Sequence, residues 1–520
     1  MGSALEWRPV MKKAPFPTLE ELKTYIPKYS VVPVGRKILS DSRTPIEVLR
    51  ALKAVSRHCF ILESLEDPAR WGRYTFLGYD PGLEFTCRKG IVTIRAGTPL
   101  SFHDEHPEIY IRQIINEHRA PRIPGMPPFT GGLMGYFAYE YIQYSEPSLA
   151  GIFNNACPAQ QKEMTERIID AADEDRFNDV DLMLFEKIIA FDNLQQTITM
   201  IVNVRTDLAE ENSRAACLEQ DLMEEIIRKG PPAVNPPLKL ENDFKPMFTR
   251  EQFCDMVDRT KKYIFEGDIF QAVLSNRLTA KAQGSLFDTY RLLRTRNPSP
   301  YMFYISSDSL EIAGSSPETL VKLTDKVLLT FPLAGTRPRG KSWEEDLSLE
   351  KSLLSDPKEL AEHNMLVDLG RNDLGRLSRF GAVKVENYMS IERYSHVMHI
   401  GATVRGEISD DKDALDAISS VLPAGTLSGA PKIRACEILH ELEKSRRGIY
   451  GGAIGYIDFT GNMDTCISIR LAYKKSGKVI VHSGAGIVAD SVPENEYPEC
   501  INKAEAVVNA VRDSEGGIEL

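Results

Sequence analysis

Apolar and polar positions recur along this chain with two periods, which predict strands and helices in turn. Three runs near the C-terminus, Gly451–Phe459, Met463–Tyr473 and Val479–Ile487, are rich in apolar and β-branched residues. Thr460-Gly461-Asn462 and Ser476-Gly477 separate them, so they read as a meander of hairpin-linked strands. A helix is expected from about Glu494 to Val511. Earlier in the chain, Leu182–Phe191 and Thr197–Val204 flank Asp192-Asn193 and read as a hairpin, and the acidic stretch Asp207–Ile227 reads as an exposed helix. Thr249 and Gln252 have the spacing of a capping box. Phe253, Met256, Val257, Thr260 and Ile264 then share one helical face, Gly267 is the expected stop, and Ile269–Leu278 follows as a strand. Hairpin-linked strands with segregated helices predict an α+β fold built on antiparallel sheet. No repeat of solenoid period is present.

Gly230–Pro237 carries four prolines. Such a run continues neither a helix nor a central strand. It predicts an N-terminal region over 1–230, a Pro-rich linker over 231–247 and a longer C-terminal region over 248–520.

Composition narrows the function classes. The 520 residues are 42% hydrophobic and 26% charged, enough apolar material for a sizeable core. A net charge of -11 argues against nucleic acid as a partner. Eight cysteines occur with no Cys-x-x-Cys spacing, which disfavours zinc and points to a reducing cytoplasm. No apolar stretch reaches membrane-span length, and the start lacks the charged and apolar segments of a secretory leader. Met1-Gly2-Ser3 is set aside as an expression scar.

Against that background a few segments carry candidate chemistry. Glu359 and Glu362 form one Glu-x-x-Glu pair, and Glu496 and Glu499 form another. Each pair shares a helix face. Two such faces brought together suit Mg²⁺; apart, they are ordinary solvated acidic faces. Pro332–Gly340 combines turn formers with two arginines, and reads either as a basic loop or as a loop offering Thr336 and backbone N–H groups to a carboxylate. Pro423–Lys432 is glycine-rich and precedes a helical pattern over Ile433–Leu442. That arrangement is an anion site or a plain capped turn, and it lacks the Walker A spacing. Gly484 and Gly486 at a strand end permit close approach of a ligand or mark a bulge. Arg470, placed inside the strand Cys466–Tyr473, needs a partner, which a substrate carboxylate would supply. His396 and His399 read as structural histidines or as catalysts.

Taken in order, these segments resemble the chorismate-utilising enzymes, and among them the large, synthase subunits of anthranilate synthases. The resemblance is dense from Thr249 to Val511 and extends to Phe60–Ser64 and Gly131–Tyr136. It implies two packed, mostly antiparallel sheets flanked by helices, with the site between them. It further implies that Glu359, Glu362, Glu496 and Glu499 hold Mg²⁺, which clamps the ring carboxylate of chorismate. Arg470 and Tyr450 would grip the enolpyruvyl carboxylate, while Gly484, Gly486, Thr426, Lys503, Gly335 and Thr336 would line the same pocket. Glu318 resembles the family's general acid, and His399 the histidine implicated in elimination of pyruvate.

Two positions discriminate within that family. Relatives that activate water carry a lysine where this chain has Gln271, and those forming 4-amino-4-deoxychorismate carry a lysine where it has Ala334. Both residues favour anthranilate as product. An aminodeoxychorismate synthase, and a non-catalytic tryptophan-binding regulator, stand as the alternatives. No Gly-x-Cys-x-Gly glutaminase elbow occurs, so the resemblance implies a separate glutamine amidotransferase subunit that supplies ammonia, usually in a heterotetramer. It also implies feedback by tryptophan. The expected inhibitor pocket comprises Glu63, Ser64, Pro300, Tyr301, Met302 and Cys466, with part of it in the N-terminal region.

Overall fold

The structure, a computed structural model, describes residues 15–65, 72–154, 177–393 and 397–518. His396 and Met1-Gly2-Ser3 lie outside these. Among the described residues the strands form two sheets, one of 13 strands and one of 12. Their ladders are antiparallel, as the hairpin pattern predicts. In the larger sheet Cys59–Glu63 pairs with Tyr301–Ser306, and in the smaller Gly132–Phe137 pairs with Ala453–Asp458. Each sheet therefore runs without a break from strands before the proline-rich segment to strands after it. No helix among the described residues is long and apolar enough to cross a membrane.

The sheets pack face to face. Phe60, Phe303, Ile312, Tyr473 and Ile480 from the larger meet Met134, Tyr136, Met183, Phe185 and Ile454 from the smaller in one buried cluster. Each such side chain contributes on the order of 1.5–3 kcal/mol by leaving water. Two glycines make the ring packing possible. A Cβ on Gly78 would lie 2.2 Å from the Phe60 ring, and one on Gly314 would lie 2.4 Å from that of Phe303.

Helix capping agrees with the sequence. Thr249 and Gln252 cap Arg250–Phe265 reciprocally, Phe253, Met256, Val257 and Thr260 are buried, and Gly267 follows at φ +87°. The acidic helix, Ala209–Lys229, is less exposed than expected, because Ala216, Gln220, Met223, Ile226 and Ile227 are buried.

Strand continuity departs from the sequence reading at two places. Leu182–Phe191 is not one strand: Val180–Phe185 belongs to the smaller sheet and Lys187–Asp192 to the larger, with Glu186 at the crossing. Only Lys187–Asp192 and Thr197–Arg205 form the expected hairpin. The C-terminal meander also divides. Ala453–Asp458 and Met463–Ile467 are a hairpin of the smaller sheet, whereas Leu471–Lys475 and Lys478–Ile487 are a hairpin of the larger. Arg470 is thus not inside a strand but at the crossing, at φ +52°. The cause is the same in both: strands between packed layers are apolar on both faces, so period 2 disappears and a corner looks like continuation. Pro332–Gly340 is likewise no simple loop, since Leu333–Pro338 forms an irregular edge strand on Val397–Glu407.

Candidate active site

Two sheet crossings lie side by side and carry two of the candidate residues. Leu310–Ser316 belongs to the larger sheet and Thr319–Thr324 to the smaller, which puts Glu318 at the corner between them. Arg470 occupies the second corner, and backbone bonds tie the two together. Ile467 N donates to Glu318 O at 3.0 Å, and Ser315 N donates to Arg470 O at 3.0 Å. Ser316 Oγ adds a bond to Ile467 O at 2.7 Å. A cleft opens where the sheets part.

The Glu318 carboxylate accepts a hydrogen bond from Thr426 Oγ1 at 3.2 Å. Burial pushes its pKa up to about 7, and the Thr426 bond pulls the other way. A carboxyl balanced near neutrality has the proton affinity a general acid needs. Thr426 sits in a short 3-10 turn, Gly425–Leu427, just before the helix Lys432–Glu443. Residues of that loop pair with the strand Gln271–Gln283, Gln271 opposite Ala430 and Ala272 opposite Gly429.

His399 Nδ1 lies 2.8 Å from Gly335 O and 3.1 Å from Thr336 Oγ1. The carbonyl only accepts, so Nδ1 carries the proton and Nε2 is the basic nitrogen. Burial, reinforced by the Arg470 cation, holds this imidazole below the ordinary histidine range, while the Gly335 bond opposes them. It is therefore neutral at physiological pH. Ala334, buried beside Gly335, pairs with Ile400.

Gln271, Gly486, Gly484 and Tyr450 converge. A Cβ on Gly486 would lie 2.8 Å from Gln271 Nε2, and one on Gly484 would lie 2.8 Å from Tyr450 Oη and 2.7 Å from Leu274 O. The two glycines let these side chains lie close against the strand. Arg470 lines an adjoining cleft of about 490 Å³ with Glu499 and Lys503. Among the described residues its guanidinium has no hydrogen-bonding or ionic partner.

The four glutamates occupy the first two turns of two helices, Pro357–Gly375 and Pro493–Asp513, with Glu359 and Glu496 in the first turns. Glu359 bonds Arg337 at 3.2 Å and approaches Gly335, and Glu499 bonds Lys503 at 2.8 Å. Burial first, then Glu359 and Glu499, push the Glu362 carboxyl upward; burial and Glu499 do the same to Glu496. Carboxylates from both helices thus repel across the gap. Among the described residues, no three His, Cys, Asp or Glu side chains are gathered closely enough to enclose a metal. The donor chemistry nevertheless fits Mg²⁺, which takes one or two carboxylates, keeps its waters and uses an anionic substrate for the rest.

Glu63, Ser64, Pro300, Tyr301, Met302 and Cys466 all line one separate cavity of about 310 Å³. Glu63, however, offers it no free carboxylate. Its oxygens accept from Tyr290 Oη at 2.5 Å, Arg294 Nε at 2.7 Å and Arg294 Nη2 at 3.2 Å. The acid on the cavity wall is Asp464, which accepts from Tyr301 Oη at 2.8 Å and pairs with Lys322 at 2.7 Å. Sequence reading missed Asp464 and Lys322; only their cross-strand register, Lys322 opposite Asp464, marks them. The cavity and the corner at Glu318 share two strands, with Thr319 opposite Cys466.

This geometry meets its relatives in three comparisons. The family profile described as chorismate binding enzyme matches residues 58–509. The chain belongs to the chorismate-binding enzyme family. Within it, the chain is 42% identical to the anthranilate synthase component 1 of Acetivibrio thermocellus, over 96% of this chain and 99% of that one. It is equally 42% identical to that of Aquifex aeolicus, over 96% and 98%. Among solved structures, the anthranilate synthase component I of Streptococcus pneumoniae superposes with a TM-score of 0.71 at 35% identity, covering 84% of this chain and 92% of that one. The two-sheet fold is therefore the family's own.

Proposed function

We propose that this chain is the synthase component of an anthranilate synthase, converting chorismate and ammonia to anthranilate and pyruvate at the first step of tryptophan synthesis. The observation that carries this reading is identity of 42% to named anthranilate synthase components along almost the whole chain. The cleft supports it with a chemically suited set of groups.

Arg470 and Tyr450 bind the enolpyruvyl carboxylate, with Lys503 adding charge and Gly484 and Gly486 leaving room. Glu359, Glu362, Glu496 and Glu499 would hold Mg²⁺, which would supply positive charge against the ring carboxylate. Ammonia adds at the ring carbon next to the carboxylate-bearing carbon, the double bonds migrate, and the ring hydroxyl departs as water with the Glu318 proton. His399, neutral and basic at Nε2, then serves the elimination in which the proton leaves the aminated ring carbon, the C–O bond to the enolpyruvyl group breaks, and that group takes up a proton at its methylene carbon to depart as pyruvate. Gln271 and Ala334 present neither a water-activating base nor an amine nucleophile, which leaves ammonia to react directly. Thr426 holds Glu318 by its hydroxyl.

A glutamine amidotransferase partner supplies ammonia, and the pair works in the cytoplasm. Tryptophan binds the 310 Å³ cavity, and its binding shifts the strands shared with Glu318 towards a less active arrangement. The purified chain, given chorismate, Mg²⁺ and an ammonium salt at alkaline pH, is expected to release fluorescent anthranilate, and to stop when the metal is chelated. Conversion of chorismate to another product would overturn the reading, as would inertness even with a glutaminase subunit added.

A further inference from the structure

Behind Thr426 lies an ion pair that the reaction above does not use. Arg447 and Glu443 are almost wholly buried, with side chains 2% and 3% exposed. Arg447 donates to Glu443 through Nε at 2.9 Å and Nη2 at 2.6 Å. Its guanidinium also donates to backbone carbonyls of two different elements, Nη1 to Leu427 O and Nη2 to Val273 O, both at 2.6 Å, while its backbone N donates to Glu140 Oε1 at 2.6 Å. Leu427 follows Thr426 directly, and Val273 lies two residues beyond Gln271. Glu443 in turn accepts from Ser275 N at 2.8 Å and Ser275 Oγ at 3.0 Å, on the same strand as Val273. The Tyr139 ring covers the guanidinium at 4.6 Å.

A buried ion pair is weak evidence for stability, because desolvation offsets much of its attraction. Its geometry is more informative. The planar fork of an arginine bridges two fixed acceptors as a lysine does not. Here it braces the Thr426 turn against the strand Gln271–Gln283, beside the 2.9 Å bond from Val273 N to Ser428 O. Among the described residues, only the Thr426 hydroxyl hydrogen-bonds the Glu318 carboxylate.

We propose that Arg447, clamped by Glu443, is a positioning residue that fixes the Thr426 turn and thereby the Thr426–Glu318 hydrogen bond. This inference takes the role of Glu318 from the proposed function, but its test does not need turnover. Among the described residues, charged groups near Glu318 include Asp373, on the wall of the small cavity beside it and paired with Lys432 at 3.1 Å, and Arg470 at the neighbouring corner. The rest of that cavity wall is largely apolar, including Leu366, Leu369 and Ala424.

The experiment is an infrared titration of the full chain, following the carboxyl band that disappears in E318Q. T426V removes the bond that favours the charged form, and is expected to raise the midpoint by about one pH unit. R447K, which keeps a cation for Glu443 but loses the fork, is expected to raise it similarly, and the R447K/T426V double variant to go no further. A folded R447K with an unmoved midpoint, or a double variant whose shifts add, would overturn the proposal. If R447K does not fold, E443Q takes its place under the same two criteria. Failure of both to fold would assign the pair a purely structural role and also overturn it. Because the band is read without substrate, a failed anthranilate assay leaves this test standing.

Discussion

Replacing Glu318 by glutamine tests the centre of the proposed chemistry. Burial raises this carboxyl from 4.5 to about 7, on the order of 3 kcal/mol between its two protonation states. At pH 7 about half of the enzyme then carries the proton, where an unperturbed glutamic acid would be only ~0.3% protonated. The expected signature is an alkaline limb in kcat/KM for chorismate, with a midpoint near 7, measured by anthranilate fluorescence at constant free ammonia. E318Q is expected to abolish that limb and to lower kcat by about 10²–10⁴-fold. The same shift predicts a stability effect of definite sign. The folded state holds this proton between 4.5 and about 7 while the unfolded state releases it. The stabilisation is thus complete below 4.5 and is lost as pH rises through about 7. E318Q, which never ionises, should therefore gain stability relative to the parent above that pH, by at most about 3 kcal/mol. A limb that persists unchanged in E318Q would assign it to another group and refute the reasoning. So would a parent whose denaturation midpoint rises with pH in this window relative to E318Q.

Ser64→Phe places an aromatic ring in the 310 Å³ cavity, where the Ser64 hydroxyl is buried with no hydrogen-bond partner among the described residues. Tryptophan inhibition is expected to vanish while kcat stays within about twofold; unchanged inhibition in steady-state assays would remove that cavity from the feedback mechanism. Arg470→Lys loses a bidentate hold on a carboxylate and should lower kcat/KM for chorismate by about 30-fold, chiefly through KM. Gly484→Ala sets a Cβ 2.8 Å from Tyr450 Oη and 2.7 Å from the Leu274 carbonyl, and should raise KM by about tenfold with an unchanged circular dichroism spectrum. Glu362→Gln with Glu496→Gln relieves repulsion across the two helices. It should raise the Mg²⁺ concentration for half-maximal activity by about tenfold or more, and a metal titration that matches the parent would exclude these residues as ligands.

Local signals were legible from the start. The capping box at Thr249 and the glycine stop at Gly267 are interactions among neighbours, decided within a few residues. Hairpins, the helix that carries Glu496 and Glu499, and the antiparallel character of the sheets follow from short-range periodicity. The motifs that mark the family are also linear, so membership was readable before any coordinates. What the linear pattern does not hold is the direction of the chain at a buried corner. At Glu186, Glu318 and Arg470 the chain leaves one sheet for the other, and apolar residues on both sides of each turn conceal it. Two of those corners carry the candidate catalytic groups, so the site itself was the part least visible as geometry.

The sequence by itself determined which residue types are available: four glutamates in two pairs, an arginine without a partner nearby, and Gln271 and Ala334 where relatives carry lysines. Only the tertiary structure decided what those residues are chemically. Glu318 is a neutral-pH acid because burial strips its carboxylate of water and, among the described residues, Thr426, 108 positions away, is its one hydrogen-bond partner. Glu63 is spent because Arg294, 231 positions away, has taken its carboxylate. Arg447 braces Val273 across 174 positions. Proton affinity and charge pairing are set by desolvation and by neighbours in space. Both arise only when segments distant in the chain close on one another.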